Sequence, residues 1–139
     1  MAGEEDLTIF VSGGAIILAF VLIYTVNYNG FKQNTTLIRA LSERSDKGAV
    51  HNYNLLNEAV SYNSFGTPEA REQLASFSAT AFDMKNGISE IQKPFIELAT
   101  SELEKQAREL PTDTRSQLFA GSYLAKIGET EKALVYLNK

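Results

Sequence analysis

The chain has 139 residues, with thirteen Lys and Arg against seventeen Asp and Glu, one His, no Cys and no Trp. No disulfide, thiolate nucleophile or Cys-ligated metal site can be built from it. Three acids (Glu4, Glu5, Asp6) precede an apolar run, and the thirteen basic and fourteen acidic residues after that run leave a net charge of −1, with no basic stripe of the kind nucleic acid attracts.

Residues 1–6 read as an acidic tail. Leu7 to Val26, LTIFVSGGAIILAFVLIYTV, is twenty residues without a charge. At the helical rise it spans about 30 Å, the thickness of a bilayer core. A transmembrane helix is predicted here, with the lipid bilayer as its first partner. Tyr24 and Tyr28 stand at one end, where amphipathic rings favour the interface. Gly13 and Gly14 follow Ser12 and form a small-residue surface; contact with another membrane helix and simple tolerance are both open. The competing reading is a cleaved signal peptide. The acidic start, the length of the run and the lack of an A-x-A pattern after Thr25 argue against it. Lys32, Arg39, Arg44 and Lys47 follow the run and no basic residue precedes it, so the charge rule places the rest of the chain in the cytoplasm.

Residues 27–32 read as a juxtamembrane linker and 33–139 as a helical domain. Pro occurs only at 68, 94 and 111, and no alternating apolar–polar run is bounded by hairpin turns, so the class is all-α. Helices are predicted over 31–45, 49–63, 67–84, 89–109, 113–127 and 130–138, the first able to continue directly from the membrane helix. Thr67 before Pro68 and Glu69 reads as an N-cap, Ser89 as the cap of the fourth helix and Asp113 as the cap of the fifth. Gly66 and Gly128 break helices, and Leu110-Pro111 ends the fourth. Leu118, Ala120, Gly121, Leu124 and Ile127 share one face of the fifth helix, and Ala133, Leu134 and Leu137 one face of the sixth.

Those last two helices resemble the tetratricopeptide repeat, a helix pair of about 34 residues. With Thr114 first, Gly121 is eighth and Ala133 twentieth, the small residues of the helix crossing. Leu124 is eleventh and Leu137 twenty-fourth, both packing positions, and Gly128 lies in the turn. Gln117 departs from the large residue usual at the fourth position. A weaker copy starts at Gln33: Ala40 is eighth, Leu56 twenty-fourth and Ala59 twenty-seventh, while Glu43 and Asn52 depart. The stretch 67–113 reads as a longer helix pair with an extended connection around Asp83–Ser89. The resemblance implies antiparallel helix pairs stacked as a short solenoid. Its last repeat reads as truncated at the C-terminus, with an apolar edge left open. An unspecific helical bundle is the alternative.

The string Leu55-Leu-Asn-Glu-Ala-Val-Ser-Tyr-Asn-Ser-Phe-Gly-Thr-Pro-Glu-Ala-Arg-Glu-Gln-Leu74 is similar to the C-terminal region of bacterial O-antigen ligase family proteins, as is Tyr28-Asn-Gly-Phe-Lys-Gln-Asn-Thr-Thr-Leu-Ile-Arg-Ala-Leu41. In that family a last membrane helix leads into tetratricopeptide-like helices. The resemblance implies the bacterial cytoplasmic membrane and work on lipid-linked glycans. The family's catalytic residues lie in membrane segments that this chain lacks, so none is carried over.

The remaining chemistry is sparse. His51 has no second His and no carboxylate pair at ligand spacing, so no metal or cofactor is expected. Glu97, Glu102, Glu104, Lys105, Arg108 and Glu109 read as a solvated, charge-laced helix face. The aromatics of the domain, Tyr53, Phe65, Phe77, Phe82, Phe95 and Tyr123 among them, read as packing residues rather than a stacking platform for nucleic acid. The expectation is a membrane-anchored protein-binding scaffold without catalysis of its own, its groove marked by Arg115, Gln117, Ser122 and Lys126. Two alternatives stand beside it. One is the non-catalytic tail of an O-antigen ligase-like enzyme. The other is an oligomerisation module acting through Gly13, Gly14 and the open edge.

Overall fold

In the computed structural model, residues 2–42, 48–81 and 89–138 are described; they contain six α-helices and no strand. These are α1 (Ala2–Ser42), α2 (Ala49–Ser61), α3 (Thr67–Thr80), α4 (Lys93–Glu109), α5 (Thr114–Lys126) and α6 (Thr130–Leu137). The expected helix ends at 43–45 and 82–84, together with Glu43, Phe82 and the connection up to residue 88, lie outside the described residues.

The first helix runs without a break from the apolar segment into the domain, the continuous arrangement that the sequence left open. Residues 2–6 and the expected linker 27–32 are both turns of one helix of 41 residues. It contains no Pro, and several of its polar residues turn their side chains back on the helix. Thr25 donates its hydroxyl to the Val21 carbonyl at 2.9 Å, and Asn27 donates its amide to the Ile23 carbonyl at 2.7 Å. Bonding at i−4 satisfies these polar side chains within the helix itself. The helix is long and apolar enough near the N-terminus to cross a membrane. Its apolar part is bare: Ile16, Ile17, Phe20, Val21 and Ile23 are all more than half exposed.

The C-terminal third of α1 carries the domain. The most extensive contacts join α1 to α2, α3 to α4 and α5 to α6; the other substantial ones link each helix to its next or next-but-one neighbour. The pairs run antiparallel. Gln33, early in the domain part of α1, reaches Ala59 late in α2, while Asn52 early in α2 reaches Ala40 late in α1. Likewise Gln92, just before α4, reaches Ser78 near the end of α3. The core runs along these pairs through Leu56, Leu74, Phe95 and Leu103, all 2% exposed or less. Phe95 takes Tyr53 edge-on at 5.4 Å and Phe77 at 5.6 Å between ring centres.

Several local expectations change. Asp113 caps α5 as expected, accepting from the Ser116 amide. Thr67 does not cap α3: Gly66 stands at the cap, and the Thr67 hydroxyl accepts from Gln33 instead. Ser89 accepts from the Gln92 amide, but it closes a turn that precedes α4 rather than starting the helix. Leu118 and Leu134, placed on the buried faces of α5 and α6, are 57% and 51% exposed. The buried face of α5 is turned to Ser116, Gln117, Ala120, Tyr123 and Leu124. Phe65 is 73% exposed and is no core residue.

Candidate interaction surfaces

The junction of α1 with the α2–α3 turn is closely built. Gly30 is buried although its neighbours are exposed. A Cβ there would stand 2.5 Å from the Phe65 ring, so the turn lies directly on the helix backbone. One turn further along, Gln33 is fully buried. Its amide donates to the Ala59 carbonyl at 2.8 Å and to the Thr67 hydroxyl at 3.1 Å. Its own carbonyl oxygen accepts from the Ser64 hydroxyl at 2.5 Å. Gln33 thereby fastens the end of α2, the turn and the start of α3 to α1. Tyr62 joins the same place through a 2.6 Å bond to Glu58, whose carboxylate holds the phenol above its ordinary pKa.

Gln33 is one of several buried amides with the same task. Asn52 donates to the Ala40 carbonyl at 2.6 Å, Gln92 to Ser78 at 3.0 Å and Gln117 to Ala107 at 2.7 Å. Gln106 completes the series with a bond to the Ser116 hydroxyl. All five are 5% exposed or less, and each bond crosses between helices or their caps. Buried polar groups persist where they are bonded. Sequence reading missed these residues because Gln and Asn are usually outside. A usable signal existed: Asn52 stands three, four and seven residues before Leu55, Leu56 and Ala59, on the same helical face.

Of the four expected groove residues, the structure brings two together. Ser122 and Lys126 line a depression of about 160 Å³ with Ser76 and Ala79 of α3 and Phe119 of α5. Arg115 lies on the same stripe of α5 but nearer its start, in a separate depression. There it reaches Glu72 at 2.6 Å and Glu69 at 3.7 Å. These carboxylates hold the Arg115 guanidinium above its ordinary pKa. Gln117 is not on the groove at all. It is buried, and its amide fills the inward slot of α5.

The charged face of α4 also departs from expectation. Glu104 and Arg108 pair loosely at 3.7 Å along the helix. Glu102 and Glu109, however, turn to α3 and hold Arg71, whose side chain is 3% exposed, at 2.8 Å each. Arg71 is the hydrogen-bond partner that keeps the Glu109 carboxyl below its ordinary pKa.

At the crossing of α5 and α6 a Cβ on Gly121 would stand 2.6 Å from Leu137 and 3.2 Å from the Ala133 carbonyl, so close approach explains the glycine. Gly128 turns the chain with φ 90°, a backbone angle that glycine adopts freely. Around Gly13 and Gly14 nothing lies within 4 Å, so that surface is open. Between the starts of α2 and α4 another depression, of about 370 Å³, exposes Val50 and Ile91. Among the described residues, no group of three or more His, Asp or Glu is placed to hold a metal. Comparison with known proteins returns no matching family model, no matching curated protein and no matching solved structure.

Proposed function

We propose that this chain is a membrane-anchored helical-repeat module that binds another protein and performs no catalysis of its own. The observation that carries the reading is a crossing that recurs twelve residues apart. In α1 and α2 Asn52 meets Ala40; in α5 and α6 Gly121 meets Ala133. These are the eighth and twentieth positions of the repeat frame in both copies. Among the described residues the substantial contacts join near neighbours, which supports a stacked solenoid rather than a bundle closed on one centre. In such a stack the first helices of the pairs line the binding face. Ser122 and Lys126 of α5, opposite Ser76 of α3, are the residues of that face.

The test is site-specific photocrosslinking of the full chain in its own membrane. A single protein partner captured from positions 122 and 126, and not from the exposed Ser101 of α4, is expected. Equal capture from all three, or none, overturns the reading. The basic flank supports a cytoplasmic position for the domain, and the resemblance to O-antigen ligase family proteins supports a bacterial inner membrane. Because the chain has no Cys, Ser76→Cys labelled from one side of sealed vesicles decides that point.

A second reading has its own observation. The two stretches similar to O-antigen ligase family proteins, 28–41 and 55–74, meet in space: Gly30 and Gln33 of one hold Ser64, Phe65 and Thr67 of the other. Paired motifs that form one contact support a common origin for the junction. On this reading the chain is the non-catalytic tail of a glycan-transferring enzyme. Membrane-helix coding sequence in frame upstream is expected, and a stop codon there overturns it.

A further inference from the structure

The exposed aromatics around Gly30 form a second contact surface, distinct from the helix-pair face. Gly30 stands four residues beyond Val26, about 6 Å along α1. The headgroup layer on each side of a bilayer core is about 5–7 Å thick. A ring packed on Gly30 therefore lies at headgroup depth when Leu7–Val26 fills the core. Phe65 is that ring, held from the side by α1 and 73% exposed elsewhere. Phe31, the next residue of α1, is 70% exposed at the same level. Tyr24 and Tyr28 pack with tilted rings 5.4 Å apart just below, and the Lys32 amine lies 5.8 Å over the Tyr28 ring. Tyrosines followed by a lysine settle at the membrane–water boundary, and Phe is among the side chains that interfacial elements bury at the headgroup–acyl boundary.

We propose that the Phe65 turn seats in the headgroup layer of the bilayer and, with Phe31, Tyr24 and Tyr28, forms an aromatic ring of contacts that holds the helical domain against the lipid surface. The occupant of this apolar surface is lipid, because the surface is continuous with the membrane helix itself. Gln33 and Gly30 make the seat rigid: they tie the turn to α1, so the domain cannot swing away without breaking buried hydrogen bonds. The function of the turn is orientation, fixing the height and angle at which the repeat face meets its partner. This inference rests on reading α1 as membrane-spanning.

Because the chain has no Trp, single substitutions report depth directly. Val21→Trp, Phe65→Trp and Val50→Trp each replace an exposed side chain. The three full-length variants are placed in phosphatidylethanolamine–phosphatidylglycerol vesicles. Quenching is then read from lipids spin-labelled near the headgroup, from lipids labelled deep in the acyl chain, and from aqueous iodide. The expected result is deep-label quenching for Val21→Trp and iodide quenching for Val50→Trp. For Phe65→Trp it is quenching by the shallow label with several-fold protection from iodide. If Val21→Trp is quenched from the core while Phe65→Trp matches Val50→Trp in iodide or Val21→Trp in the deep label, the seat is overturned and the membrane helix stands. If Val21→Trp responds to no lipid label, the membrane reading falls, and the seat with it.

Discussion

The first and last helix pairs meet the same geometric demand with different chemistry. In both, two helices cross closely at residues twelve apart. The last pair does it by subtraction, with Gly121 against Ala133. The first pair does it by bonding. Ala40 is small, but Asn52 is not, and its amide reaches the Ala40 carbonyl at 2.6 Å. Ala40 lies in the last described turn of α1, and near a helix end a carbonyl can take a side-chain donor in place of a backbone one. A polar residue is therefore useful at that crossing and has nothing to offer at the other, which falls mid-helix in α5. The pairs differ again one turn on. Leu56 is fully buried between α1 and its neighbours, whereas its counterpart Leu137 is 43% exposed. A packing position is thus only as buried as the layer beyond it.

The largest expected effect breaks that equivalence. Leu56→Ala should cost about 2–5 kcal/mol of unfolding free energy, the range for a filled core position. Leu137→Ala should cost about 1 kcal/mol or less, since much of its surface is already wet. Denaturant titration of the full chain in detergent, followed by helicity, compares the two, and equal losses would sink the difference.

Intermediate effects sharpen the chemistry of the crossings. Asn52→Ala should destabilise by about 1–3 kcal/mol, because the Ala40 carbonyl loses its donor in a buried place. Gly121→Val should cost about 1–3 kcal/mol by overpacking against the Ala133 backbone. Hydrogen exchange separates the two: the first variant opens α1 and α2, the second α6. Exchange that rises uniformly in both would count against independent crossings.

The smallest effect is a pH dependence centred on the end of α4 and the entry of the last pair. Arg71 holds Glu109, and the Ser116 hydroxyl and amide hold Asp113, below their ordinary carboxylate values. Lowered folded values mean stability that is complete above the ordinary range and is lost as pH falls through the lowered ones. Limited proteolysis in mild acid should therefore cut around α5 and α6 before α1 and α2. Asp113→Asn should flatten the acid response while weakening the cap at neutral pH. An unchanged acid profile in that variant would remove Asp113 from the account.

Much of this was legible beforehand. The uncharged run, the helical class and the positions of the breaks followed from residues that act locally: a charge-free stretch, Pro68, Pro111, Asp113 and Gly128. The small residues Gly121 and Ala133 were found by spacing. The errors share one cause. Gln117 was placed on the groove and Leu118 on the packed face, although Gln117 is buried and Leu118 is exposed. Thr67 was read as a cap, although its hydroxyl serves Gln33. Each of these depends on which face a neighbouring helix covers.

By itself, then, the sequence determined the apolar helix, the all-α class and the turns, because hydrophobic length, ring-locked φ and capping side chains act within a few residues. Only the tertiary structure decided that α1 runs unbroken into the domain, that Phe65 lies on Gly30, and that five amides and Arg71 belong inside. A polar residue is tolerated in the interior only when a specific partner is delivered to it, and those partners come from 7 to 38 residues away along the chain.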